Sequence, residues 1–133
     1  MKRVVLDSSY ALAMLMDDEA GPASADEVLA AHLVAPSLWN LEMANAMMSN
    51  VRRGRLREED VRRVFVVLQG LDVEVVAAPE VPADHWYDFS AAHGLTPHDA
   101  QYLDLALQQR CAIATRDQTV ADAAGRLGLR VLT

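Results

Sequence analysis

Apolar residues along the chain fall into five short runs separated by longer segments of mixed polarity. Most of these runs are rich in Val, Leu or Ile and do not alternate with polar residues. This pattern is typical of strands buried on both faces of a parallel sheet. We therefore predict strands over residues 3–7, 32–36, 72–78, 111–115 and 129–133.

The longer segments have the spacing of amphipathic helices. Helices are predicted over residues 9–16, 24–31, 38–53, 58–71, 83–92, 97–109 and 119–127, and Gly128 follows the last one as a C-terminal stop would. Strands that alternate with helices predict a doubly wound α/β sandwich. No internal repeat or Gly/Ser linker divides the sequence, so residues 1–133 are expected to form a single domain.

Composition indicates a globular protein, since 52% of its 133 residues are apolar and 23% are charged. The 22 alanines and 7 aromatic residues predict a small, tight core of Ala, Val and Leu. The formal net charge of −7 argues against general electrostatic binding of DNA or RNA. A nucleic-acid function would need a local site that overcomes this repulsion.

The single cysteine, Cys111, excludes an internal disulfide and indicates a reducing, intracellular setting. The first apolar run ends at Asp7 and is too short for a signal peptide. The longest fairly apolar stretch without a formal charge, residues 28–41, has 14 residues. Spanning a bilayer takes roughly 20. The protein is expected to be cytoplasmic, with no membrane segment.

Three aspartates occupy matching places in the predicted fold. Asp7 ends the first strand, Asp117 follows the fourth, and Asp99 lies in the first turn of the helix that starts near Pro97. Because ligands bind at the carboxyl ends of parallel strands, Asp7 and Asp117 are expected to face one crevice, which Asp99 can join. Each aspartate could instead be an ordinary helix cap, and Thr96 with Asp99 resembles a capping box.

A fourth acid, Glu42, lies on the helix predicted over residues 38–53. With Asn45 and Ser49 it forms a narrow polar stripe on a helix that is otherwise apolar nearly all round, so we expect the helix to be buried and the stripe to face inward. A buried carboxylate needs a cation or strong hydrogen-bond donors. The alternatives are pairing with an arginine, or a stripe that faces water.

The same helix carries Trp39, Met43 and Met47 at spacings of one turn. Such a stripe predicts packing into the core. The alternative is an apolar groove for a partner helix or for a second copy, since Met-rich surfaces adapt to partners.

Several carboxylates in one crevice repel one another, each pair at about 4 Å by roughly 1 kcal/mol even in water. A divalent cation would reverse that balance, and a ligand set made only of oxygens favours Mg²⁺ or Mn²⁺. Such ions bridge phosphate oxygens and generate hydroxide from bound water. The predicted site therefore indicates metal-dependent phosphodiester chemistry.

Four segments, none specific by itself, carry a family resemblance through their order and spacing. They are Val4-Val5-Leu6-Asp7-Ser8-Ser9, Leu38-Trp39-Asn40-Leu41-Glu42-Met43-Ala44-Asn45, Asp99-Ala100-Gln101-Tyr102-Leu103-Asp104-Leu105-Ala106 and Ile113-Ala114-Thr115-Arg116-Asp117. With them the sequence resembles the PIN-domain ribonucleases, most closely the VapC-like toxins of bacterial toxin–antitoxin pairs. The similarity covers nearly the whole chain.

The resemblance implies a PIN-like three-layer α/β/α sandwich around a five-stranded parallel sheet. It implies a site for Mg²⁺ or Mn²⁺ with four acidic ligands: Asp7, Glu42, Asp99 and Asp117. Three polar residues match its supporting positions: Ser9, Asn45 and Thr115. Members of the family cleave RNA, often structured RNA such as tRNA, and are commonly homodimers neutralised by a small cognate antitoxin protein. One departure is His98, where a Tyr often precedes the third acid.

We hypothesise a hydrolytic mechanism on these acids. A metal held by the three aspartates orients a water for attack on the phosphate, and Glu42 anchors that ion through water, binds a second ion or accepts the water's proton. The products would carry a 5′-phosphate and a 3′-hydroxyl. Two alternatives stay open: an RNA-processing nuclease outside a toxin–antitoxin pair, and a non-catalytic metal-binding or phospho-acceptor domain. A receiver domain would want a lysine near the site, and Lys2 is the chain's only lysine.

Half of the 12 basic residues lie between positions 52 and 63. Arg52, Arg53 and Arg55 are candidates for RNA phosphate contacts or for an edge of the antitoxin interface, with a solvated loop as the alternative. Arg116 is a separate candidate for a substrate phosphate.

Overall fold

The described residues, 2–16 and 21–133 of a computed structural model, contain a five-stranded, all-parallel β-sheet. Its strands are β1 Arg3–Leu6, β2 His32–Pro36, β3 Glu74–Val76, β4 Ala112–Ala114 and β5 Val131–Leu132. All five predicted strands are present, and four of them are shorter than predicted. Their order across the sheet is β3-β2-β1-β4-β5, so the first strand lies at the centre.

Seven α-helices occupy the part of the chain that the structure describes. They are α1 Ser8–Leu15, α2 Ala25–Leu29, α3 Trp39–Arg52, α4 Val61–Gly70, α5 Ala83–His93, α6 Pro97–Gln109 and α7 Gln118–Arg126. A 3₁₀ turn at Glu58–Asp60 precedes α4, where a single helix was predicted over residues 58–71. Because crossovers between parallel strands are right-handed, the change of direction after β3 puts helices on both faces of the sheet. The predicted α/β sandwich is confirmed.

The end of α7 follows the sequence prediction. Gly128 has a φ of 78°, a conformation that glycine adopts without a steric penalty. The N–H of the next residue, Leu129, donates to the Ala124 carbonyl at 3.0 Å, which satisfies a carbonyl in the last turn of the helix. Among the described residues, none of the helices combines the length and the apolar character that crossing a membrane requires.

The order in which strands are added to the sheet changes side at β1, while all strands stay parallel. The chain runs from β1 to β2 and β3 on one side, then returns to β4 and β5 on the other. β1 and β4 pair with Leu6 opposite Ala114, and the backbone N–H of Asp7 continues the ladder by donating to the Ala114 carbonyl at 3.0 Å. Residues that follow these two strands therefore meet at one carboxyl edge, where open α/β sheets bind their ligands.

The core consists mainly of small and medium apolar side chains, as predicted. Two tyrosines are the largest side chains that are fully buried, Tyr10 on α1 and Tyr102 on α6. Helix α6 packs against β1, β2 and β4, so Tyr102 lies over the middle of the sheet. The predicted burial of the strands on both faces does not hold for β3, where Glu74 and Val75 are exposed. β3 lies at the edge of the sheet and has a neighbouring strand on one side only.

Helix α3 differs from its prediction. Trp39, Met43 and Met47 are buried, so the prediction of core packing for this stripe is confirmed. The helix is not buried all round, however, because Leu41 is 77% exposed and Met48 is 63% exposed. α3 therefore carries two apolar stripes, one in the core and one at the surface.

Truncating one methionine from each stripe tests this orientation. We expect Met43→Ala to lower the free energy of unfolding by about 2–4 kcal/mol, because a cavity replaces a buried side chain. Met48→Ala should change it by less than about 0.5 kcal/mol, because that side chain lies at the surface. Urea denaturation followed by circular dichroism measures both values. Equal losses would contradict the burial of Met43.

Candidate active site

Asp7 is the most deeply placed acid of the predicted site. It follows β1, is 3% exposed, and occupies the cap position of α1 without capping it. Its Oδ2 atom accepts two hydrogen bonds instead, from the Ser9 hydroxyl at 2.8 Å and the Thr115 hydroxyl at 2.6 Å. Two of the three residues predicted to support the acids therefore contact Asp7 directly.

Each of these hydroxyls is itself oriented by the loop after β4. The backbone N–H of Arg116 donates to Ser9 Oγ, and that of Asp117 donates to Thr115 Oγ1, both at 3.0 Å. A hydroxyl has one proton, and here that proton points to Asp7 while an oxygen lone pair accepts the backbone N–H. Two short hydrogen-bonded chains, each through one hydroxyl, thus connect the backbone of the β4–α7 loop to the carboxylate at the end of β1.

Asp117 caps helix α7, as the alternative interpretation of its sequence position predicts. Its Oδ1 atom accepts from the backbone N–H groups of Thr119 at 2.9 Å and Val120 at 3.3 Å, as an N-cap of α7 does. Both bonds end on the same oxygen, so Oδ2 takes neither of them. Capping α7 leaves that second oxygen for another ligand.

Asp99 lies at the start of α6 without being its cap. The cap is Thr96, whose hydroxyl accepts the backbone N–H of Asp99 at 3.2 Å, and Pro97 fills the first turn. The resemblance to a capping box is thus met in one half, since the side chain of Thr96 accepts the N–H of Asp99. The half-buried Asp99 carboxylate is not needed to cap the helix.

Glu42 is half-buried on α3, and Tyr102 donates its hydroxyl to Glu42 Oε1 at 2.5 Å. Sequence reasoning missed Tyr102. The available signal was its spacing, since a residue three positions after Asp99 lies on the same face of α6. Asn45, predicted as a supporting residue, is exposed, and in the described part of the chain its side chain bonds none of the four acids.

Burial and mutual repulsion disfavour the charged forms of these acids. The pKa of Asp7 is raised from 3.8 to about 6, because burial and, to a smaller extent, the charges of Asp99 and Glu42 outweigh the two hydroxyl bonds that lower it. Burial also raises the pKa of Glu42 and the pKa of Asp99. The charge of Asp99 adds to the effect on Glu42, and the charge of Asp117 adds to the effect on Asp99. The four acids therefore interact with one another through their charges.

The chemistry of these donors suits a hard divalent cation. All are carboxylate oxygens, and three of the four acids have raised pKa values that a bound cation would reverse. Within residues 2–16 and 21–133, however, no group of three His, Cys, Asp or Glu side chains is close enough to hold an ion. The acids form an open set at the crevice, and an ion would have to draw them together.

A cavity of about 350 Å³ adjoins Ser9, whose hydroxyl donates to Asp7. Its polar lining comes from Ser9, Asn50, Arg55 and Arg116. Arg116, whose backbone N–H donates to Ser9 Oγ, and Ser9 itself both line the cavity, so the cavity lies next to the residues that hold Asp7. Two other predicted RNA contacts are exposed and lie outside the lining: Arg52 and Arg53.

Comparison with known proteins finds relatives over nearly the whole chain. A family model described as PIN domain matches residues 4–126. The chain is 30% identical over 120 residues to VapC ribonuclease Mb0985 of Mycobacterium bovis, covering 90% of this chain and 89% of that protein, and the same figures hold for ribonuclease VapC9 of Mycobacterium tuberculosis. Among solved structures, PAE2754 from Pyrobaculum aerophilum has a TM-score of 0.72 at 21% identity, over 98% of this chain and 83% of that one. FitAcB from Neisseria gonorrhoeae has a TM-score of 0.59 at 18% identity, over 98% and 96% of the two chains.

The raised pKa of Asp7 predicts how the metal-free protein depends on pH. The folded state holds the Asp7 proton more tightly than the unfolded state, so the stability this gives is present below pH 3.8 and is lost as the pH rises through about 6. Asp7→Asn removes the buried charge. In EDTA we expect this variant to be more stable than wild type by on the order of 3 kcal/mol at about pH 8 and nearly equal at about pH 3.5.

Urea denaturation across that range measures the difference. Asp122→Asn is the matched control, because Asp122 is exposed and bonded only to Gln118 among the described residues. A wild type that is more stable than Asp7→Asn at high pH would contradict the unfavourable burial of the Asp7 charge.

Proposed function

This chain belongs to the PIN-domain family, among its VapC-like members, and we propose that it is a Mg²⁺- or Mn²⁺-dependent endoribonuclease that acts as the toxin of a toxin–antitoxin pair. The observation that carries the proposal is the buried Asp7 carboxylate at the end of β1, held by two hydroxyls and repelled by the charges of Glu42 and Asp99. The names of two relatives, VapC ribonuclease and ribonuclease VapC9, support the same activity.

In this proposal Asp7, Asp99 and Asp117 hold the ion, and Glu42 completes the acidic set. When bound, a divalent ion supplies a Lewis acid for the phosphate and lowers the pKa of its water. The chain's own residues orient the ligands: the hydroxyls of Ser9 and Thr115 hold Oδ2 of Asp7 in place. The cap bonds of α7 hold Asp117 through one oxygen in the same way.

RNA is proposed to cross the edge of the sheet toward the cavity beside Ser9. Arg55 and Arg116 line that cavity, and we propose that arginine side chains there contact the phosphates that flank the cleaved bond. Water attacks the phosphorus, the bond to the 3′ oxygen breaks, and that oxygen takes up a proton. The ends would be a 5′-phosphate and a 3′-hydroxyl. An open crevice of this kind fits exposed single-stranded segments of structured RNA, such as tRNA loops.

We further propose a small cognate antitoxin, a homodimer and a cytoplasmic location for the protein. The buried stripe of Trp39, Met43 and Met47 is unavailable to a partner, because all three side chains lie in the core. The exposed Leu41 and Met48 on the other face of α3 are apolar and do not share this restriction. Arg52 and Arg53, exposed at the end of α3, stay candidates for contacts to RNA or to the antitoxin.

Metal-dependent cleavage is the direct test. With Mn²⁺ or Mg²⁺ we expect the protein to cut tRNA and leave 5′-phosphate ends, and EDTA should abolish the cut. Asp99→Asn should lose at least about a hundredfold in rate, because the site loses a charged ligand. Asp122→Asn, which keeps the four acids, should cut like wild type. Cleavage that persists in EDTA or in Asp99→Asn would overturn the proposal.

Salt dependence tests the arginines of the cavity. Each phosphate contact to a single strand contributes about 0.7 to the slope of log affinity against log salt. We expect Arg116→Ala and Arg55→Ala each to reduce the slope of log kcat/KM against log salt by about that amount. Arg62→Ala is the control, because Arg62 is exposed and lies outside the cavity. Equal slopes in all three variants would remove the cavity from the path of the RNA.

A further inference from the structure

Tyr102 combines complete burial with a polar contact to the acidic site. Its side chain is 0% exposed, on the helix that packs over the centre of the sheet. Its hydroxyl donates to Glu42 Oε1 at 2.5 Å. A phenylalanine would fill the same space, so packing alone does not account for the hydroxyl, which must have a partner when buried.

The partner that the hydroxyl meets is the Glu42 carboxylate, whose charged form is favoured by the charge of His98 but which makes no ion pair with the described residues. Among the hydrogen bonds and ion pairs of the described residues, Glu42 accepts from Tyr102 and pairs with no Lys or Arg. An arginine would orient Glu42 equally well, but it would also cancel one negative charge. A neutral hydroxyl fixes the carboxylate and leaves the charge of the site intact. That combination suits a site that must attract a cation.

Tyr102 also connects Glu42 to the rest of the acids. It lies one turn after Asp99 on α6, so a single helix carries both the Asp99 carboxylate and the hydroxyl that binds Glu42. The position of Glu42 relative to Asp99 is therefore set by α6 and does not depend on α3 alone.

We propose that Tyr102 is a positioning residue for the metal site. Its hydrogen bond fixes Oε1 of Glu42, and Tyr102 makes no bond to Oε2, so the charged carboxylate is held in one orientation at the site. This inference rests on the proposed metal-dependent function and assigns the orientation of Glu42 to Tyr102. Tyr102 itself touches neither ion nor RNA.

Two tyrosines of this chain make a matched test. Tyr10 is also 0% exposed, and its hydroxyl shares a 2.8 Å hydrogen bond with the Ser24 hydroxyl, apart from the four acids. Tyr102→Phe and Tyr10→Phe each remove one buried hydroxyl, and urea denaturation checks that both variants fold. We expect Tyr102→Phe to weaken Mn²⁺ binding about tenfold, measured by calorimetry or by the electron paramagnetic resonance of free Mn²⁺, and Tyr10→Phe to bind like wild type.

The same titration in a Glu42→Gln background shows whether Tyr102 acts through Glu42. There Tyr102→Phe should cause no further loss, since the carboxylate that it orients is gone. A tenfold loss that persists in this background overturns the positioning role. So does Mn²⁺ binding by Tyr102→Phe that equals wild type, while the proposed nuclease function would then stand. A wild type that binds no Mn²⁺ overturns both.

Discussion

Burying the Asp7 carboxylate at the end of the central strand removes the water that would solvate its charge. Two hydroxyls replace that water, and each is oriented by a backbone N–H of the loop after β4. The bond from Thr115 requires β4 to lie directly beside β1, and the bond from Ser9 requires α1 to begin at once after the strand. Sheet order, loop conformation and the acidic crevice are therefore parts of one arrangement. Together they offset only part of the cost, since the pKa of Asp7 stays raised.

A common pattern links the acids. Asp7 is held through Oδ2, Asp117 through Oδ1 and Glu42 through Oε1. In each the other oxygen takes none of these bonds, so one oxygen fixes the side chain and the second remains for a ligand. Helix capping and metal binding are thus compatible in Asp117, although they compete as explanations of its sequence position. Asp99 reaches the crevice by another route, because Thr96 caps the helix in its place.

The order and type of the elements could be predicted because parallel strands and amphipathic helices have different apolar spacings. The shared edge of the aspartates followed from topology, since the ends of parallel strands lie together. The orientation of α3 could not be predicted, because Met43 and Met48 belong to two apolar stripes and spacing alone does not say which one meets the sheet. The hydrogen bond from Tyr102 to Glu42 could not be predicted either, because it joins residues 60 positions apart on different helices.

The central place of β1 determines when the acidic crevice can form during synthesis. Asp7 leaves the ribosome before Thr115, because the hydroxyl that holds it lies 108 positions later in the sequence. A nascent chain that has reached only α6 contains Asp7, Glu42 and Asp99, yet it lacks β4 and the loop that orients the hydroxyls bound to Asp7. Closing a contact of such long range is a late step in folding. The activity proposed for this chain is therefore withheld until residues 112–117 have been made and β4 has docked against β1.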